Sequence, residues 1–104
     1  MATSILTAGT NEALSSTFTI ADGDSVLVSV YTSTGENVPH GPVLSLQRAD
    51  INGNFINVAT VGFGRVTFSA SCQQLTISSP GTYRVSRPDI TPWGTVGVGI
   101  QTGT

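Results

Sequence analysis

Val43-Leu44-Ser45-Leu46-Gln47-Arg48-Ala49-Asp50-Ile51-Asn52-Gly53-Asn54-Phe55-Ile56-Asn57-Val58-Ala59-Thr60-Val61 reads as two short strand-like segments joined at Asn52-Gly53. Before the turn, Leu44 and Leu46 alternate with Ser45 and Gln47. That period of two sets one apolar and one polar side of an extended chain. Asn-Gly supplies the positive φ angles of a type I′ turn, which matches the twist of the strands it joins. The stretch therefore predicts a β-hairpin from Val43 to Val61.

The same punctuation continues in both directions. On the N-terminal side, Ala13 to Ile20 predicts a strand with Leu14, Ser16, Phe18 and Ile20 on one face, closed by the turn Asp22-Gly23-Asp24. Ser25 to Tyr31 follows, with Val26, Val28 and Val30 on one face and Leu27, Ser29 and Tyr31 on the other. Apolar residues on both faces predict a central strand covered on both sides. Residues 32–42 hold two prolines, two glycines and the only histidine, His40, and form the longest loop. On the C-terminal side, Arg65 to Ser69, Gln74 to Ser78, Thr82 to Arg87 and Gly94 to Gln101 alternate again, with Ser79-Pro80-Gly81 as a strong turn. In the last segment Val96, Val98 and Ile100 face one way. Gly97 and Gly99 leave the other side bare enough for a second backbone to approach.

Helix formers are scarce, with no lysine and two glutamates, and no stretch has a helical period. The pattern predicts an all-β, single-domain antiparallel β-sandwich, jelly-roll or immunoglobulin-like, of about eight short strands. Residues 1–12 are expected to form an N-terminal arm or edge strand, and residues 13–104 the β-sandwich domain. Chain length supports one domain.

Composition narrows function. Only 10% of the residues are charged, against about 25% in ordinary domains. Ser and Thr supply 27 of the 104 residues, and the net charge is −2. So little charge gives weak protection against self-association, as suits a protein that works packed against copies of itself. Four arginines are too few and too scattered for a phosphate-binding stripe, so no nucleic-acid partner is expected. Arg84 and Arg87 lie three apart in a predicted strand and are read as surface ion-pairing residues on opposite sides. The N-terminus lacks a basic region followed by an apolar stretch, and no apolar run is long enough to span a bilayer. The expectation is a soluble protein made in a cytoplasm, without a membrane partner.

Candidate chemistry is sparse. Cys72 is the only cysteine, which excludes an internal disulfide, and it reads as a small residue at a strand or turn. One Cys and one His cannot build a transition-metal site. His40 is the only imidazole base, lies in Val38-Pro39-His40-Gly41-Pro42, and has no Gly-x-Ser-x-Gly elbow to serve. Asp22 and Asp24 suit turn capping better than the paired-carboxylate chemistry of a glycosidase. Asp50-Ile51-Asn52-Gly53-Asn54 starts like a calcium loop but lacks the distal glutamate, and the hairpin explains the same residues. Gly62-Phe63-Gly64 precedes a strand pattern, so it offers no phosphate-binding helix terminus. The expectation is no enzyme, no cofactor and no metal. The aromatics Tyr31, Phe63, Tyr83 and Trp93 could form a sugar platform. Trp93, in Thr91-Pro92-Trp93-Gly94, reads as a sugar stacker, an interface anchor or a lid over the core.

Val43-Leu44-Ser45-Leu46-Gln47, Asn52-Gly53-Asn54-Phe55 with Val58, Leu75-Thr76-Ile77, Pro80-Gly81-Thr82-Tyr83-Arg84-Val85 and Val96-Gly97-Val98 share a cadence. It resembles small β-sandwich virion proteins of tailed bacteriophages, of the capsid decoration, cement or head-tail fitting type. The likeness spans residues 25–101. The chain departs from extracellular immunoglobulin-like modules in having no disulfide pair and no early-strand Trp. The resemblance implies a non-enzymatic structural role on a capsid, in the virion. The implied partners are the major capsid protein or another virion protein, and copies of itself, with a trimer favoured. Ile5, Leu6, Arg65 and Trp93 are the candidate interface residues. The alternative is a glycan- or host-surface-binding module of a phage tail or fibre, with Tyr31 and Trp93 as ligand-binding residues.

Overall fold

A computed structural model describes residues 2–35, 37–39, 41–60, 64–70, 72–91 and 93–102. At 2, 59, 60, 64 and 65 it describes the backbone alone. Strands β1 (Ala2–Gly9), β2 (Ala13–Leu14), β3 (Phe18–Ile20), β4 (Val26–Tyr31), β5 (Leu44–Ala49) and β6 (Phe55–Asn57) form the first half. Strands β7 (Ala59–Thr60), β8 (Gly64–Arg65), β9 (Thr67–Phe68), β10 (Gln74–Ile77), β11 (Gly81–Arg87) and β12 (Val96–Thr102) complete the chain. All pairings are antiparallel. One sheet runs β1-β12-β4-β10. The other runs β2-β11-β5-β6, with β3 also on β11 and β9 also on β5. The protein is an all-β sandwich.

Period-two patterning builds the core. Val26, Val28 and Val30 of β4 and Val96 and Val98 of β12 are buried from one sheet, against Leu44, Leu46, Tyr83 and Val85 from the other. Phe18 stacks on Tyr83 at 5.7 Å between ring centroids, an arrangement that adds to the burial of both rings. Val38 and Ile90, from loops, complete the core cluster. Strand β4 is central, as its two apolar faces predict.

Several expected strands are divided, and hydrogen bonding shows why. The predicted strand Ala13–Ile20 breaks around Ser15. The Ser15 N–H donates to the Val85 carbonyl at 2.9 Å, and the Ser15 Oγ accepts from the Val85 N–H at 2.8 Å. A hydroxyl thus takes the ladder position of a carbonyl and draws Ser15 inward, while Leu14 points out with 52% of its surface exposed. The shared face of Leu14, Ser16, Phe18 and Ile20 is therefore corrected: Phe18 and Ile20 are buried, Leu14 and Ser16 are not. The segment Phe55–Val61 likewise breaks at Val58. Its N–H donates to Leu46 O at 2.9 Å, the Leu46 N–H donates to Val66 O at 3.1 Å, and the Val66 N–H donates back to Val58 O at 2.8 Å. The edge of β5 is completed first by β6 and then by β9, and the β7–β8 hairpin springs from between them.

The expected Val43–Val61 hairpin forms only around its turn, where Gln47–Ala49 pair with Phe55–Asn57; Leu44 and Ser45 pair with β9 instead, Val61 lies outside the described residues, and the turn is not type I′. Only Gly53, at φ +84°, enters the left-handed region, and no non-glycine residue does so among the described residues. The loop is five residues long. Asp50 Oδ1 accepts from the N–H groups of Asn52 and Asn54 at 2.8 and 2.9 Å, and the Gly53 N–H donates to Asp50 O at 3.0 Å. A carboxylate acceptor replaces the second positive φ that Asn52 would have needed.

Residues 2–9 form an edge strand on β12, with register shifts between Ser4 and Leu6 and between Leu6 and Gly9. The bulges blunt an otherwise long open edge. The Ser16 N–H reaches Ile5 O at 2.8 Å, which ties this edge to the opposite sheet. Gly97 makes the close packing here: a Cβ at that position would lie 2.7 Å from Leu6 O, Ala8 N and the Tyr31 ring.

Arg87 contradicts its reading as a surface ion-pairing residue. It follows Tyr83 and Val85 on the inward face of β11 and is only 5% exposed. Its Nε donates to Asn11 O at 2.7 Å, and its Nη1 donates to Thr7 O at 3.0 Å and Val96 O at 2.8 Å. Burial pulls its pKa below the ordinary arginine value. Arg84, on the outward face, likewise meets no carboxylate among the described residues: its Nε donates to Gln47 Oε1 at 2.7 Å and its guanidinium lies 4.1 Å from the Phe55 ring centroid.

Two outcomes follow. Arg87→Met keeps the stem but strips three carbonyls of their donor, so it is expected to destabilise the fold by about 3 kcal/mol, measured by urea unfolding. Gly97→Val is expected to cost about 1–3 kcal/mol by overpacking against β1, with hydrogen exchange rising first at residues of β1.

Candidate functional site

The best-organised surface feature surrounds Trp93. Asp89 opens the turn that carries it: its Oδ1 accepts from the Thr91 N–H at 3.0 Å and the Thr91 hydroxyl at 2.5 Å. Ile90 is wholly buried, and its N–H donates to Thr10 O at 2.8 Å. The Trp93 N–H then donates to Ile90 O at 2.9 Å. The indole packs directly on Gly41, where a Cβ would overlap the ring. Trp93 is nevertheless 48% exposed. The ring is backed by Gly41, and about half of the residue stays open to solvent.

Beside it lies a shallow recess of about 340 Å³, walled by Thr32, Thr34, Asn37, Pro39, Gly94 and Thr95. The Ser33 and Thr95 hydroxyls meet at 2.7 Å and fasten the loop to the segment leading into β12. None of the described walls is charged. Asn37 and Thr34 make no hydrogen bond within the described residues.

Tyr31 belongs to a different place. It lines a recess of about 260 Å³ with Thr3, Ser4, Ser29, Gly99, Ile100 and Gln101. Its hydroxyl is engaged by Ser4 Oγ at 2.9 Å and Leu6 O at 3.3 Å. Tyr31 and Trp93 line separate depressions and do not form one platform. Ile5 sits in the protein's own core, and Leu6 is half-buried against it. The Arg65 side chain, His40 and Phe63 lie outside the described residues. Tyr83 is buried between the sheets. Cys72 is half-buried, with its Sγ 3.9 Å from Gln74 O. No group of three or more His, Cys, Asp or Glu stands together among the described residues, and no helix is long and apolar enough to cross a membrane.

The outer sheet faces are the other large surfaces. On the first sheet, Ser4, Gly99, Ser29 and Gln74 stand in register across four strands, beside Gln101, Leu27 and Thr76. None of these carries charge. On the second, Leu14, Ser86, Ser45 and Thr67 form one row. Arg84, Gln47 and Asn57 form the next, linked from Gln47 Nε2 to Asn57 Oδ1 at 3.3 Å. Val43, 45% exposed, and Pro88 flank this face. Sequence reasoning missed Asn37 and Thr34 because each is an ordinary polar residue in a long loop. It missed the exposure of Leu14 because the alternation there breaks at a serine.

No family model matches the chain, and no curated protein matches it. Among solved structures, the chain is similar to the crystal structure of SPBc2 prophage-derived protein YomS, with a TM-score of 0.65 and 14% sequence identity. The match covers 99% of this chain and 92% of that one. At that identity the likeness is one of fold, and it extends over the whole sandwich, the N-terminal strand included.

The Thr91 hydroxyl, and then the Thr91 N–H, hold the Asp89 carboxyl below the usual carboxylate range. A depressed acid stabilises its turn above the unfolded pKa, near pH 4, and that support fades as pH falls through the folded value. Trp93 fluorescence is therefore expected to hold steady from neutral pH to about pH 4 and to change below it. In Asp89→Ala that acid step is expected to disappear.

Proposed function

We propose that this chain is a non-enzymatic structural component of a bacteriophage particle. It is made in the host cytoplasm and acts in many copies, decorating or cementing a capsid through oligomeric contacts. The observation that carries the reading is the outer face of the second sheet. Leu14 and Val43 stand half-exposed beside Ser45, Ser86, Thr67 and Gln47, with Glu12 and Arg84 as the charged neighbours among the described residues. Large exposed apolar side chains on a mostly uncharged polar surface suit burial against another protein. The prophage origin of YomS, which shares the fold, supports the phage setting. Asp50 and Asp89 are occupied as turn acceptors, which fits a protein that performs no acid–base chemistry. The partners in this reading are the major capsid protein or another virion protein and copies of the chain itself, with a trimer favoured.

Light scattering across a concentration series tests it. The expected result is a closed oligomer, a trimer, whose mass falls to that of the monomer in Leu14→Glu/Val43→Glu. Circular dichroism and melting temperature should stay unchanged, since both side chains lie outside the core. A protein that stays monomeric at every concentration and does not sediment with capsid shells lacking it would sink the proposal.

A further inference from the structure

The recess beside Trp93 has a chemistry that the structural role does not use. Among the described aromatics, Phe18, Phe68 and Tyr83 are buried in the core and Tyr31 and Phe55 are half-buried, so Trp93 is the most exposed of them. Trp93 is the single tryptophan, and it stands half-exposed although leaving apolar surface in water forgoes roughly 25 cal/mol per Å². It is not loose. The turn bond to Ile90, the buried Ile90 side chain and the Gly41 backbone beneath the ring fix its orientation before any ligand arrives. Such preorganisation lowers the ordering cost of binding.

We infer that this recess binds a neutral sugar ring, stacked on the open face of Trp93 and hydrogen-bonded by Asn37 and Thr34. The walls decide the class of ligand. An indole offers a flat apolar face to the C–H face of a pyranose. Asn37 brings an amide that both donates and accepts, and Thr34 a hydroxyl that does the same, which matches the dual character of sugar hydroxyls. Neither group is occupied by an internal bond among the described residues. The chain has no Lys and no Arg among the described residues that line the recess, so a nucleotide could stack its base there but would find no described partner for its phosphates. A proline-rich peptide needs an aromatic-lined groove, and here Trp93 is the one aromatic among the described lining residues. The volume, about 340 Å³, is at the small end for ligand pockets and suits a mono- or disaccharide unit.

The lone tryptophan makes the test direct. The intact protein is titrated with neutral methyl glycosides of glucose, galactose and mannose and with disaccharides of each, following Trp93 emission, with binding measured in parallel by calorimetry. A saturable emission change is expected with at least one of them. Asn37→Ala, at an exposed position that the fold does not lean on, is expected to weaken that sugar about tenfold. Trp93→Ala should abolish the calorimetric signal and Trp93→Phe should retain part of it, with melting temperatures recorded to show that each variant is folded. The inference is overturned if no neutral sugar gives a saturable response, if Asn37→Ala binds as well as the parent, or if a proline-rich peptide binds where sugars do not. It is also overturned if self-association shields Trp93 from a soluble quencher, because then a neighbouring copy covers the ring. Light scattering reports the oligomer independently, so failure of the sugar site leaves the structural proposal standing.

Discussion

A buried guanidinium held by three backbone carbonyls is the constraint around which this sandwich is organised. Arg87 reaches three carbonyls that belong to the edge strand β1, the segment after it, and the start of β12. Those oxygens would otherwise face one another at the end of the core, where unpaired polar groups are costly. The cation satisfies all three from one side chain. It also joins β11 of one sheet to β1 and β12 of the other, so the two layers are held by polar bonds as well as by apolar packing. Among the described residues, no buried side-chain nitrogen or oxygen is left without a partner.

That end of the molecule then sets the rest. With β1 held by Arg87 and by the Ser16–Ile5 bond, its backbone can lie close over Gly97, and Tyr31 can close the gap with its ring and hydroxyl. The register shifts in β1 set both Ile5 and Leu6 against Val98, with Ile5 in the core and Leu6 half-buried beside it. The same end positions Ile90 against Thr10, and through Ile90 the turn that lifts Trp93 to the surface. The recess beside Trp93 thus depends on a network whose anchor is a strand away in the fold.

Function divides along surfaces. The outer sheet faces carry mostly uncharged polar residues with a few exposed apolar ones, the kind of area that protein partners cover. The Trp93 recess is small, and the described residues that line it carry no charge, the kind of place that a small neutral ligand enters. The two lie apart on the molecule, and a particle protein with both could bind its neighbours with one surface and present the other outward.

The amino-acid sequence by itself determined the fold class, because alternation in Val26–Val30, Leu44–Leu46, Tyr83–Val85 and Val96–Ile100 admits only half-buried strands, and turn residues between them set their lengths. It also determined the hairpin turn between Ala49 and Phe55 and the centrality of Ser25–Tyr31, both local readings of period and punctuation. What only tertiary structure decided depends on groups far apart in the chain. Arg87 looked like any surface arginine until the carbonyls of Thr7, Asn11 and Val96 were brought around it. Ser15 broke a strand because Val85, seventy residues away, offered both an acceptor and a donor. The type I′ expectation failed because the Asp50 carboxylate competes for the turn's N–H groups, a side-chain effect that the Asn-Gly pair does not reveal. Trp93 and Asn37 share one recess, and Tyr31 does not, because two loops and a sheet end meet there. Such convergence has no linear period, so it is written only in the folded chain.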